Sequence, residues 1–307
     1  MEYAIETRTL SKRFGTVRAV ANVSIRVKKG EIYGFLGLNG AGKTTTIRML
    51  LGMIRPSAGV PYIMGKKADA ANTRLWDSVG YLVEIPYAYP TLTVRENLEL
   101  FRRLRFITDP HAVEAIIEKL KLGAYRDRPA KNLSLGNAQR LGLAKALLHN
   151  PEILILDEPA NGLDPAGIVE IREMLLDLAC NNGVTIFISS HILGEISRFA
   201  TRIGIIHEGR IIRETSTEQM DRFRRRVLQI RTRNNKEAAR ELAAKGYPSA
   251  QGEDGDIEIS DPRAVGNPEK INSFLVGKKL PPYLLKVDEE DLESYFLRVI
   301  NENGGAA

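Results

Sequence analysis

The stretch GFLGLNGAGKTTTIRML, residues 34–50, holds Gly37, Gly42, Lys43 and Thr44 at the spacing G-x-x-x-x-G-K-[ST]. Glycines let a loop turn tightly enough for several backbone N–H groups to converge on phosphate oxygens. Asn39, Gly40, Ala41, Gly42 and Thr45 are the candidate backbone donors of that cradle. The helix that follows points its positive end at the same anion. Lys43 is placed to reach the β- and γ-phosphates, and the Thr44 hydroxyl can ligate Mg²⁺. A strand-like EIYGFLG precedes the loop and a helical TTTIRMLLGM follows it, the context a phosphate loop requires. A second stretch, EILILDEP, drives four apolar residues through a core and ends in Asp157 and Glu158. Ligands bind at that end of a strand in sheets of this kind. Asp157 suits Mg²⁺ coordination, and Glu158 can polarise a water against a γ-phosphate.

A phosphate cradle by itself leaves kinases, GTPases, helicases and transport ATPases open. The stretch NLSLGNAQRLGLAKALLHNPEILILDEPANGLDP narrows the choice. It resembles the ATP-binding subunits of ABC transporters. LSLGN, Leu133–Asn137, stands in the place of their LSGGQ signature, and NGLD, Asn161–Asp164, looks like their D-loop. His191 in ISSHILGE looks like the switch histidine, and Phe14 in SKRFG like the aromatic that stacks on adenine. The resemblance covers nearly all of residues 1–215. It implies two such chains pairing head to tail around two ATP molecules with Mg²⁺. Ser134, the Gly136 backbone and the D-loop Asp164 of one chain would face the P-loop of the other. Glu158 would be the general base, and His191 would sense the γ-phosphate. Leu135 departs from the family's glycine and Asn137 from its glutamine, although Gln139 stands two residues on. Leu135 is expected to reduce backbone freedom at the phosphate contact. Ser134 and Gly136 remain, so ATPase activity is expected to be retained.

The elements that must position these residues alternate between strand and helix, which favours a parallel core sheet covered by helices. The expected fold is an α/β P-loop ATPase with a parallel core sheet, a β-rich subdomain at the start and a helical subdomain over about 94–149. The ATP-binding domain is expected over 1–215, and a small α+β accessory domain over 216–307. In the latter, VLQIRTR and YLLKV read as strands, KEAARELAAKG and PEKINSFLVGKK as helices, and EDGDIEIS as a weak hairpin. A last helix presents Leu292, Phe296, Val299 and Ile300 on one face. Asp288 is expected to cap it, with Asp291 in its first turn. The tail ENGGAA is expected to fray.

A chain of 307 residues with 43% hydrophobic and 27% charged residues is an ordinary globular protein. Its one cysteine, Cys180, cannot form an internal disulfide. No apolar run approaches the roughly 20 residues that span a bilayer, so a separate permease must supply the path. The net charge of +6 permits nucleic acid or an anionic membrane as partner, and DRFRRR, residues 221–226, concentrates that charge. A solvated helix or linker is the commoner use of such a run. The nucleic-acid reading is disfavoured, because the chain has neither a long heptad insertion nor a second P-loop.

The resemblance therefore implies a motor subunit on the cytoplasmic face of a membrane exporter, docked through the helical segment. The acidic–aromatic tail VDEEDLESYFLRVI resembles drug- and antibiotic-exporting members. Glu84, in VEIP, stands where the family generally has the glutamine that touches Mg²⁺ and relays closure to the permease. A glutamate there resembles the bacitracin-resistance and lantibiotic-immunity members. A carboxylate holds Mg²⁺ more strongly than an amide, so Glu84 is expected to tune Mg²⁺ dependence.

Overall fold

Three of the apolar runs are buried on both faces, and they form the middle of one sheet. In the computed structural model, which describes residues 3–304 apart from 70, 85, 253 and 254, these runs are β4 (Ile32–Leu36), β8 (Ile153–Asp157) and β9 (Thr185–Ser190). With β7 (Val79–Leu82), β10 (Arg202–His207) and β11 (Arg210–Ser216) they make a six-stranded sheet in the order β11-β10-β4-β9-β8-β7. Every pairing is parallel except β10 with β11. Buried on both sides, such strands carry continuous apolar sequence instead of alternation. Tyr33, Phe35 and Phe187 stack between β4 and β9 and fill the core beneath the site.

The β-rich part is a second sheet of β1 (Tyr3–Phe14), β2 (Val17–Val23), β3 (Arg26–Lys28), β5 (Ala58–Ile63) and β6 (Lys66–Lys67), all antiparallel. Between the two sheets runs α1 (Lys43–Leu50), with Ile47, Met49 and Leu50 buried. The helical subdomain holds α2 (Val94–Leu104), α3 (Ala112–Lys119) and α4 (Leu135–Leu147). Thr93 and Glu96 form a complete capping box at the start of α2. Beyond β8 come α5 (Pro165–Cys180) and the short α6 (Leu193–Ile196). The architecture is the α/β class expected from the strand–helix alternation.

By its contacts the chain divides into a unit of residues 1–218 with 299–307 and a unit of residues 219–298. A helix α7 (Thr217–Phe223) leads into β12 (Arg226–Thr232), α8 (Asn235–Ala244), β13 (Ala250–Gln251) and β14 (Ile257–Ile259). Then follow α9 (Pro262–Val265), α10 (Pro268–Gly277), β15 (Pro282–Glu289) and α11 (Leu292–Gly304). The four strands pair antiparallel in the order β13-β14-β12-β15, which is the interleaving of a split βαβ motif. Leu228, Ile230, Ile257 and Ile259 pack against Ala238, Leu242, Ile271 and Leu275 of the helices. The hairpin read in EDGDIEIS is the β13–β14 pair, with residues 253 and 254 outside the described residues.

The cap of the last helix differs from the expected residue. Asp288 lies in β15, and Asp291 is the residue whose carboxylate accepts from Glu293 N and Ser294 N at the start of α11. The helix runs through Gly304, and residues 305–307 of the tail lie outside the described residues. Of the apolar face, Phe296, Val299 and Ile300 are buried and Leu292 is half-buried.

The basic run is folded into an acid–base clamp. Glu290 receives Arg298 through both carboxylate oxygens, at 2.7 and 2.8 Å, and the Arg225 amide at 2.9 Å. The Glu290 carbonyl accepts from Arg224 at 2.6 Å, and Glu289 pairs with Arg226 at 2.8 Å. The Arg298 hydrogen bonds, ahead of the Arg225 contact, hold the Glu290 carboxyl below the usual glutamate range. Its stabilisation is present above the ordinary glutamate pKa of about 4.3 and is lost as pH falls through the lowered folded value. Glu290→Gln should destabilise residues 226–298 by about 3 kcal/mol at pH 7, the low end for breaking a mostly buried pair. Hydrogen exchange across that unit should show the gap to wild type shrinking as pH falls below about 4. Equal protection at pH 7 would remove the clamp from the list of stabilising contacts.

Candidate functional site

The P-loop joins β4 to α1, and its shape demands two of its glycines. A Cβ on Gly37 would lie 2.6 Å from the Ile206 carbonyl, and one on Gly42 2.6 Å from the Ala19 carbonyl. Gly42 also sits at φ +107° as the N-cap of α1, a conformation open to glycine. Ala41 is buried, and its carbonyl accepts from Gly209 N at 2.9 Å. Asn39 and Gly40 form the exposed rim of the loop, and Thr44 and Thr45 stand half-buried at the first turn of the helix. Lys43 is only 6% exposed. Its Nζ donates to the Gly37 carbonyl at 2.7 Å and the Leu38 carbonyl at 3.3 Å, and lies 3.1 Å from Glu158 Oε1.

The acids leave the sheet at the same edge. Asp157 ends β8 with 1% of its surface exposed. Its carboxylate accepts from Thr44 Oγ1 at 2.7 Å and from Ser189 Oγ at 2.5 Å. Glu158 follows at φ +50°, in the left-handed region that non-glycine residues rarely occupy. Its Oε2 is 2.8 Å from Nδ1 of His191, which stands just beyond the end of β9. The arrangement therefore joins a phosphate-type cation, two acids and an imidazole in one continuous network. Thr44 and Asp157 form a neutral and an anionic oxygen of the hard type that Mg²⁺ takes alongside phosphate oxygens. Among the described residues no group of three or more His, Cys, Asp and Glu could hold a metal ion. A metal here would need the nucleotide's oxygens to complete its shell, which fits the way Mg²⁺ is bound in ATPase sites.

Beside Glu158 and His191 opens a cavity of about 640 Å³ lined by the D-loop, α5 and the segment 188–199. Glu195 lies on it, and burial raises its carboxyl above the usual range, with His191 opposing.

The remaining expected residues sit on other elements of the chain. Ser134 is the N-cap of α4 and accepts from Asn137 N at 3.3 Å. The helix starts at Leu135, so the signature forms its first turn. Gly136 packs on the D-loop, where a Cβ would lie 2.9 Å from the Gly162 carbonyl. Asp164 caps α5 and accepts from Gly167 N at 2.9 Å. Phe14 is half exposed at the end of β1, with Lys12 Nζ 4.9 Å from its ring centre. Glu84, at φ +54°, pairs with Arg48 of α1 at 2.7 Å. Arg48 is one helical turn beyond Thr44 on that helix.

Two residues of the network have no role in the sequence reading. Ser189 bridges Asp157 to the Glu158 amide, and Gln139 Nε2 donates to the Glu158 carbonyl at 3.2 Å. The polar pair before His191, inside an otherwise apolar strand, is the one signal that could have pointed to Ser189.

Residues 20–161 match the ABC transporter family. A bacitracin transport ATP-binding protein of Bacillus licheniformis is 39% identical over 98% of both chains. A lantibiotic transport ATP-binding protein of Streptococcus pyogenes is 37% identical over 68% of this chain and 90% of its own. The dimeric structure of a bacterial ABC transporter cassette superposes with a TM-score of 0.65 at 25% identity, covering 69% of this chain and 98% of that one. A chain matched in this way along almost its whole length belongs to the ABC transporter family, and as one of its ATP-binding subunits it hydrolyses ATP to power transport.

Proposed function

We propose that this subunit drives export of an antimicrobial peptide or drug of the bacitracin or lantibiotic kind, with a separate permease and a second copy of itself. The observation that carries its motor chemistry is the network of Lys43, Thr44, Asp157, Glu158 and His191 on one sheet edge. The cargo class rests on the two transport relatives. Among the described residues no helix is long and apolar enough to cross a membrane, which is why the reading includes a permease at the membrane's inner face.

In this reading the P-loop amides and Lys43 hold the ATP phosphates, and Phe14 stacks on the adenine. Thr44 and Asp157 would hold Mg²⁺, which when bound neutralises charge on the β- and γ-phosphates. Glu158 takes a proton from the attacking water, and His191 orients the Glu158 carboxylate through Nδ1. Phosphate oxygens replace Glu158 as the partner of Lys43, so nucleotide binding itself frees the base. A groove of about 350 Å³ lined by Met53, Tyr81, Tyr87, Phe101, Arg105 and Lys145 is the proposed permease contact. Burial lowers Lys145 to about 8, and its Nζ lies 4.2 Å from the Phe101 ring centre. The basic run lends no support to a nucleic-acid partner, since Arg224 and Arg226 pair with Glu289 and the Arg225 amide binds Glu290.

Glu158→Gln should cut phosphate release by about 10²- to 10⁴-fold, the usual contribution of a general base, while ATP still binds. Wild-type turnover in that variant would exclude Glu158 as the base. Lys43→Ala should abolish ATP binding in equilibrium measurements, and an unchanged affinity would end the P-loop assignment. For Glu84 to reach a metal, its pair with Arg48 must open. Glu84→Gln should retain ATPase activity and shift the Mg²⁺ concentration for half-maximal rate. An unmoved Mg²⁺ profile would confine Glu84 to its ion pair.

A further inference from the structure

Glu158 is held in an unfavourable backbone conformation by two buried side chains, beside backbone bonds from its N–H to the Ser189 carbonyl at 3.3 Å and from Asn161 N to its carbonyl at 3.2 Å. A non-glycine residue in the left-handed region costs of order 1–3 kcal/mol and persists only where its surroundings over-determine it. Here the surroundings are specific. The Glu158 N–H donates to Ser189 Oγ at 3.0 Å, and the Glu158 carbonyl accepts from Gln139 Nε2 at 3.2 Å. Ser189 is wholly buried and Gln139 is 2% exposed. Ser189 also donates to Asp157 Oδ1 at 2.5 Å, so one hydroxyl fixes the metal-type acid and the base together. Gln139 comes from α4, the helix whose first turn is the signature.

We propose that Ser189 and Gln139 are positioning residues for hydrolysis, together clamping both peptide groups of Glu158 so that its carboxylate faces the attacking water. Their contributions differ. Ser189 sets the direction of Asp157 as well as Glu158, so its loss disturbs metal use and the base at once. Gln139 bonds the Glu158 carbonyl and not Asp157, and it ties the Glu158 backbone to the signature helix of the same chain. A displacement of that helix is thereby felt at the base without passing through the nucleotide. Misplacing a catalytic group by about 1 Å can cost on the order of 10²-fold in rate, so the clamp is worth that scale of turnover.

The inference rests on Glu158 being the base, and the test separates the two. Four variants of the full chain are compared with wild type: Ser189→Ala, Ser189→Thr, Gln139→Met and Glu158→Gln. Phosphate release is titrated against ATP and against Mg²⁺, and ADP affinity without metal and thermal midpoint are measured alongside. Ser189→Ala is expected to lower kcat by about 10- to 100-fold and to raise the Mg²⁺ needed for half-maximal rate several-fold. Ser189→Thr, which keeps the hydroxyl in a residue suited to strands, should restore most of both. Gln139→Met is expected to lower kcat about tenfold with the Mg²⁺ profile and KM for ATP unmoved. ADP affinity should stay within twofold of wild type in both clamp variants. If Glu158→Gln turns over normally, the base assignment fails, whatever the clamp residues do. If Glu158→Gln is inactive while Ser189→Ala and Gln139→Met keep wild-type kcat, the clamp is refuted. A fall in kcat that tracks lost ADP affinity and a lower thermal midpoint, without rescue by threonine, would also refute it.

Discussion

The parallel register of β4, β9 and β8 is the constraint on which the rest of the molecule depends. Leu36 pairs with Ser190, and Asp157 with Ser189, so the three strands end at one level. The P-loop, the acidic pair and His191 therefore leave the sheet along a single edge. A slip of one residue would send Asp157 to the opposite face and bring an apolar neighbour into its place. The register is protected by burial, since Ile153–Leu156 and Ile186–Phe187 are closed to solvent on both faces. The chemistry is thus held by hydrophobic burial beneath it, and the hydrogen bonds at the edge refine a geometry that the strands have already set.

On that edge the charges satisfy one another. A buried lysine without a partner would be costly, and Lys43 finds two carbonyls and a carboxylate. Asp157 similarly takes two hydroxyl donors. The site is therefore a set of exchangeable partnerships. In the proposed reading an incoming phosphate would compete with Glu158 for Lys43, and a metal would compete with the Thr44 hydrogen bond for Asp157. Binding free energy comes from the difference between these partners, which is smaller than the full attraction of any one pair.

Much of this was legible because the phosphate loop, the acidic strand and their order along the chain are local patterns with a mechanical cause. The buried strands announced themselves by unbroken apolar runs. What stayed hidden depends on partners distant in sequence. Glu84 finds Arg48, and the basic run finds Glu289 and Glu290, because tertiary packing brings them together. Local propensity could not choose between Asp288 and Asp291 as a cap, since β15 continues far enough to absorb the first of them. Ser189 looked like one polar residue in a strand, and only its place opposite Asp157 in the sheet gives its hydroxyl two partners.

Leu135 shows how a structural frame changes the meaning of a departure. Read as part of a glycine-rich loop, a leucine there restricts a backbone that needs freedom. In the structure that backbone is the first turn of α4, where leucine is a good helix former. Its side chain is 61% exposed and rests over Gly162, where a Cβ would meet Leu135 Cδ2 at 2.4 Å. Gly162 is itself at φ +79°, so glycine is demanded there by conformation and by contact. The substitution thus leaves the helical amides of the signature in place and alters the packing between the signature turn and the segment that ends in Asp164. Gly136 leans on the same Gly162 carbonyl. The turn that holds Leu135 and Gly136 and the segment that holds Gly162 consequently pack on each other, so a change of side chain in one alters the space open to the other.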